Sequence, residues 1–229
     1  MEKVKLERHK EHQKYLTVDG EEVPGGSTIC KIGDSPEALI AWAWKLGTEG
    51  KDYRAERDRA ADIGTLAHFM VECYLNGQVA DLSDYTQDEI ERALVCYNKF
   101  IDFWDEQGFT KVATEVQMVH PEHRFGGTID LVAHDRDGNM ILLDLKTSKR
   151  ISDSYVRQIA GYTMLWDFSS KDTISKWGII RIGKQEEGDF EVKFYDEARI
   201  RNAQKTFLSQ VQLYWAMKTE KPPRAKKKK

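Results

Sequence analysis

The stretch GGTIDLVAHDRDGNMILLDLKT, residues 126–147, decides the fold. Two apolar runs, 126–132 and 141–147, flank Asp135-Arg-Asp-Gly-Asn139. An Asp-Gly pair between such segments is a strong short-range hairpin signal. The runs fall in expected strands over 125–134 and 139–147, with another before them over 111–119. Within 139–147, alternation puts Asp144 and Lys146 on one face and Leu143 and Leu145 on the other. Asp130 alternates with Ile129 and Leu131. Both runs are otherwise apolar, so these charges sit on core-like strands.

Register decides whether the two aspartates meet. A two-residue Asp137-Gly138 turn would set Asp130 opposite Leu145 and leave Asp144 on the wrong face. A three-residue connection, with Gly138 left-handed beside a bulge, pairs 135 with 139 and sets Asp130 opposite Asp144. The second register is the expected one. Two close carboxylates repel, and one would take up a proton unless a cation sits with them. Oxygen ligands of this kind suit Mg²⁺ or Mn²⁺. Such an ion can polarise a phosphodiester and activate water, with Lys146 orienting that water or neutralising charge on the phosphate. The bland alternative is a buried Asp–Lys–Asp ion pair without chemistry, since D-x-K triplets are common.

Working outward, the first half of the chain reads as helical. Residues 15–33 suggest a hairpin and loop. Ser35-Pro36-Glu37 predicts a helix start, with Ala38, Leu39, Trp42 and Leu46 at helical spacing and a stop at Gly47. A longer helix fills much of 53–75 and ends at Asn76-Gly77. Thr86-Gln-Asp-Glu89 is a capping box for a third, closed by Gly108. Beyond the hairpin come a helix around 153–168, strands 173–182 and 189–195 turned at Glu187-Gly188, and a last helix over about 196–217 with Ala198, Phe207, Val211 and Trp215 among its apolar positions. The order argues for an α/β (α+β) fold, a mixed sheet flanked by helices. The expected organisation is one domain over 1–221: a helical part 34–108, a sheet core 109–195 and the C-terminal helix, followed by a basic tail 222–229.

Bulk properties narrow the classes. With 229 residues, 40% hydrophobic and 32% charged, the chain is long enough for a substantial core and ordinary in mixture. A net charge of -3 carries no signature of a polyanion binder, although clustered metal-binding carboxylates lower the total and local charge matters more. No apolar run is long enough to span a membrane. The charged N-terminus lacks a signal-peptide core, so a cytoplasmic location is expected. Cys30, Cys73 and Cys96 read as free thiols, one too few for a four-cysteine zinc or iron–sulfur site.

Five motifs in order resemble the RecB-like exonuclease branch of the PD-(D/E)XK superfamily, which includes phage exonucleases and the mitochondrial genome maintenance exonuclease. Gly64-Thr-Leu-Ala-His68, followed by Glu72, resembles a helical G-T-x-x-H motif. Glu115 resembles the acidic residue on the strand before G-x-x-D. Gly127-Thr-Ile-Asp130 and Asp144-Leu-Lys146 match the superfamily core, and Gln158-Ile-Ala-Gly-Tyr162 the Q-x-x-x-Y helix. Residues 24–44 resemble the N-terminal segment of the phage members. Together the matches run from about residue 24 to 195.

The resemblance implies a restriction-endonuclease-like core and a Mg²⁺- or Mn²⁺-dependent deoxyribonuclease, an exonuclease of recombination, repair or replication. It implies metal ligands His68, Asp130, Asp144 and the Leu145 carbonyl, with Lys146, Asp144, Asp130 and Glu115 catalytic and Gln158 and Tyr162 on the substrate. DNA is the implied partner, with a helicase or a single-strand-binding or annealing protein as a companion, in a bacterial or phage-infected cell. The cysteine count departs from the CRISPR-associated relatives, which bind an iron–sulfur cluster. Two other readings stay open: a DNA-binding recombination accessory that does not cut, and a structure- or sequence-specific endonuclease.

Single residues carry bland alternatives too. His68 alone would be a core histidine, and Glu72 is balanced between joining the site and facing solvent. Glu115 alternates with Gln117 toward the expected site, against an exposed strand position. Gln158 and Tyr162 share a helix face that could be a half-buried edge. His120, His123 and His134 lack ligand spacing and read as loop or surface. Trp42, Trp44 and Trp104 read as packing. The lysine tail could contact phosphates or simply solubilise.

Overall fold

The computed structural model describes residues 3–5, 14–183 and 189–220, so the Glu187-Gly188 turn and the basic tail lie outside the described residues. The N-terminal part contains β1 (Lys3–Lys5), β2 (Tyr15–Leu16), β3 (Glu22–Val23), α1 (Gly26–Cys30), α2 (Glu37–Thr48), α3 (Tyr53–Leu75), β4 (Val79–Asp81) and α4 (Gln87–Gln107). There follow β5 (Thr110–His120), β6 (Phe125–His134), β7 (Met140–Lys146), α5 (Asp153–Ser169), β8 (Lys176–Ile182), β9 (Phe190–Tyr195) and α6 (Glu197–Glu220). No helix among the described residues is long and apolar enough to cross a membrane.

Local chemistry sets the helix ends. Asp52 caps α3, its side chain accepting from the amides of Arg54 and Ala55. Thr86 and Glu89 form the expected capping box of α4, which Gly108 ends at φ 63°. Such caps contribute on the order of 1 kcal/mol each.

The main sheet runs β5-β6-β7-β8-β9, antiparallel throughout except for the parallel pair β7–β8. A parallel pair cannot close through a tight turn, and α5 supplies the crossover. The central strands are buried on both faces. Leu142, Trp177 and Ile179 pack with α1, α5 and α6, while Leu143, Leu145, Ile180 and Ile182 pack with α3 and α4. This is the mixed, helix-flanked sheet that the sequence predicts.

Register follows the three-residue connection. His134 faces Met140, Ala133 faces Ile141 and Leu131 faces Leu143. The Asp135 amide donates to the Asn139 carbonyl at 3.0 Å, and Gly138 takes φ +81°. Continued one step past Leu131, this register brings Asp130 opposite Asp144.

Four expectations need correction. The loop after the β2–β3 hairpin contains the short helix α1, which seats Ile29 and Cys30 in the core. The helix expected from Ser35 begins at Glu37 with Pro36 at the cap; Ser35 Oγ accepts from the Glu37 amide at 3.3 Å, and the helix runs on to Thr48. Of its twelve residues only Leu46 is buried, and Trp44 is 72% exposed, so helical spacing identified an apolar face that this fold does not cover. In α6 Ala198 is exposed and the buried position is Ile200.

Candidate active site

Strand β6 carries two glycines after Phe125 because two aromatic rings need their space. A Cβ on Gly126 would lie 2.5 Å from the Tyr15 ring, and one on Gly127 would lie 2.4 Å from Tyr162. The Tyr15 hydroxyl meets Thr128 Oγ1 at 3.1 Å. The hairpin β2–β3 and helix α5 therefore close on β6 just ahead of Asp130.

At Asp130 the sheet departs from regular pairing. The β6–β7 ladder ends at Leu131–Leu143, and the β5–β6 ladder passes from Thr114–Leu131 to Val116–Ile129 without pairing Glu115 with Asp130. Glu115 takes φ 51°, a left-handed conformation that few residues other than glycine adopt and one found at functional sites. Consecutive residues on each strand, Thr114 with Glu115 and Asp130 with Leu131, consequently line one small cavity with His68 and Glu72. Regular alternation would have split each pair. Gln117, expected to face the site beside Glu115, instead donates to the Lys14 carbonyl at the surface.

The result is a convergence from three elements. Donor atoms of His68, Glu115 and Asp130 lie within 4.8 Å of one another, and His68 Nδ1 is 3.8 Å from Asp130 Oδ2. Asp130 Oδ2 also accepts from the Leu145 amide at 2.9 Å, taking the place of a ladder bond where the strands part. Asp144 is fully buried and faces the Lys146 ammonium, 2.8 Å from Oδ1 and 2.7 Å from Oδ2. Only the first contact has hydrogen-bond geometry, and Oδ2 has no hydrogen-bond partner among the described residues. Asp144 is thus adjacent to the His68–Glu115–Asp130 group and held by Lys146, not gathered into that group. The Lys146 ammonium also lies 5.3 Å from the Tyr155 ring centre.

The electrostatics match the crowding. Burial, then repulsion from Asp130 and Glu72, pushes Glu115 up to about 8. Burial raises Asp130 and Asp144 above the usual carboxylate range, although Lys146 pulls both down. Burial lowers Lys146, but Asp144 and Asp130 more than offset that, and it stays a firmly charged cation.

Gln158 and Tyr162 sit one turn apart on α5, joined by a 2.6 Å hydrogen bond from Gln158 Nε2 to the tyrosine hydroxyl. Tyr162 is only 5% exposed, so it abuts the acidic group from within the core. Glu72 lines the cavity one turn after His68. His120 is 7% exposed, stacked on Phe125 and lowered by burial, which corrects its reading as a surface residue. Tyr155 was not singled out by sequence, and its only signal is its place one turn before Gln158.

No protein-family profile and no curated protein matches the chain. Solved structures do overlap with it. A protein of Eubacterium rectale assigned as an exonuclease aligns over 69% of this chain and 68% of its own, with 14% identity and a TM-score of 0.47. The alkaline exonuclease LHK-Exo of Laribacter hongkongensis, also solved in complex with dAMP, aligns over 70% of this chain and 90% of its own, with 14% identity and a TM-score of 0.35. The functional reading rests on the side chains rather than on these overlaps.

The donor set fits a hard divalent cation. It combines an imidazole with two carboxylates in a small space, beside a buried carboxylate oxygen that no hydrogen bond reaches among the described residues. Acids raised by burial, and in Glu115 and Asp144 also by neighbouring carboxylates, are the groups whose charge a cation would stabilise.

Proposed function

We propose that this protein is a metal-dependent DNA nuclease of the PD-(D/E)XK type, an exonuclease of recombination, repair or replication. The observation that carries the reading is the meeting of His68, Glu115 and Asp130 beside the Lys146–Asp144 pair. His68, Asp130, Asp144 and the Leu145 carbonyl would hold Mg²⁺ or Mn²⁺, with Glu115 as a further ligand or as the base for water. When bound, the ion supplies Lewis-acid activation of a phosphodiester and of water.

The chain's own residues do the rest. Asp144 fixes the Lys146 ammonium in place, so that its charge meets the extra negative charge gathering on the phosphate without reorganisation. Asp130 holds the Leu145 amide and with it the carbonyl direction of the same residue. Gln158 and Tyr162 support the substrate side through their shared hydrogen bond. A helicase or single-strand-binding protein directing the enzyme belongs to the same reading.

The test is degradation of end-labelled linear DNA, with Mg²⁺ or Mn²⁺ and with chelator, beside Lys146→Ala. Metal-dependent loss of DNA that falls at least ~100-fold in the variant is expected, and the fate of the label gives polarity. A circular single strand separates an end-dependent enzyme from an endonuclease. Folded wild-type protein that cuts no substrate with either metal would favour the non-cutting DNA-binding accessory.

A further inference from the structure

We infer that the cleft between α2 and the loop after β7 takes an unpaired DNA strand, with a base stacked on Trp42. This rests on the nuclease reading and names its substrate as single-stranded. Two adjoining clefts lead to the Lys146 side chain. One, of ≈ 310 Å³, is lined by Gly64, His68, Lys146 and Tyr155. The other, of ≈ 610 Å³, lies under Trp42 and Leu46 and includes Arg59, Arg92 and Lys149. They share Ala60, Thr147 and Ser148, so they form a continuous path.

The lining has the mixed character of single-strand grooves: cations and hydroxyls for phosphates, and an aromatic wall for bases. Lys149 is exposed on the shared loop. Glu56 and Asp189 also line the wider cleft, Arg59 and Arg92 are engaged with Asp88, and Ser148 Oγ donates to the Arg150 carbonyl at 3.0 Å, which leaves Lys149 and the Thr147 hydroxyl as the phosphate contacts. Trp42 stands edge-on to Tyr53 at 5.4 Å, which fixes the indole as a wall.

Two features select an unpaired strand over a duplex. Interior bases of a duplex stack on each other, so along a duplex an indole can stack only on a base that has left the helix. The chemistry is also recessed: Lys146 and Asp130 side chains are each 17% exposed and Asp144 not at all. A flexible strand can enter such a recess more readily than a rigid double helix.

The experiment measures binding of fluorescent (dT)₁₀ and of a blunt duplex of equal length to the full-length protein in chelator. Tighter binding of (dT)₁₀, weakened about 10-fold by Trp42→Ala, is expected. Trp42→Phe keeps a ring and retains most of the affinity, which separates lost stacking from misfolding. Trp44→Ala lies about 200° round α2 and leaves binding unchanged. Equal affinity for duplex, or no response to Trp42→Ala, overturns the inference. Self-association that Trp42→Ala dissolves also overturns it, by assigning the wall to a second copy of the chain. Metal-dependent cleavage abolished by Lys146→Ala would survive each of these failures, so the two readings fall separately.

Discussion

The two ends of the β6–β7 hairpin carry aspartates in opposite conditions. At the turn, Asp135 Oδ1 accepts from the amides of Asp137 at 3.0 Å and Asn139 at 2.9 Å, and Lys176 pairs with Oδ2. The Lys176 bond, with those from Asn139 and Asp137, holds its carboxyl far below the usual range. At the other end, Asp130 and Asp144, with Glu115 on the neighbouring strand, are all raised by burial, and one Asp144 oxygen accepts no hydrogen bond among the described residues. The turn end uses its carboxylate to stabilise the fold. The site end concentrates charge that the metal-free fold accommodates badly, the pattern expected where an active site is built at the expense of stability.

The comparison breaks most visibly at Glu115. In Glu115→Gln, loss of a ligand or base should lower cleavage on the order of 100-fold, yet the metal-free protein should become more stable at high pH. The sign follows from linkage. Glu115 titrates at about 8 in the fold against an ordinary value of 4.5, so the folded state holds a proton between these limits that the unfolded chain has lost. Its contribution is full below 4.5 and is lost as pH rises through about 8. Melting followed by circular dichroism should show Glu115→Gln gaining roughly 2–4 °C at pH 8.5 and nothing at pH 4.5. A uniform loss at both pH values would mean that the glutamate serves the fold.

At the turn end the opposite holds. Asp135→Ala removes the acceptor of two turn amides, and should cost about 1–2 kcal/mol in urea unfolding while leaving cleavage per folded molecule intact. A large fall in turnover would show that the two ends are not independent. Smaller still is Gly138→Ala, a Cβ at φ +81° with no neighbour in the way, expected to cost about 1 kcal/mol and no activity.

Much of this contrast was legible in sequence because it is local. Asp135-Arg-Asp-Gly-Asn139 encodes its own turn, and period-2 alternation across it orders Asp144, Lys146 and the leucines. The meeting of His68 with Asp130 had no local signal, and its motif rested on resemblance alone. The left-handed Glu115 was invisible, since nothing in Ala113-Thr-Glu-Val116 calls for positive φ. The glycine pair 126–127 read as a motif, but its reason, room for Tyr15 and Tyr162, exists only in three dimensions. Helical spacing in α2 marked apolar residues correctly and failed to say that only Leu46 among them would be buried, with Trp42 half-buried and Leu39 exposed.

The most direct test of the central claim is anomalous diffraction from crystals soaked in Mn²⁺. A manganese peak is expected at about 2.0–2.3 Å from donor atoms of His68 and Asp130, within reach of Asp144 and Glu115. A clean map with no peak there, or manganese bound only elsewhere on the molecule, would contradict it.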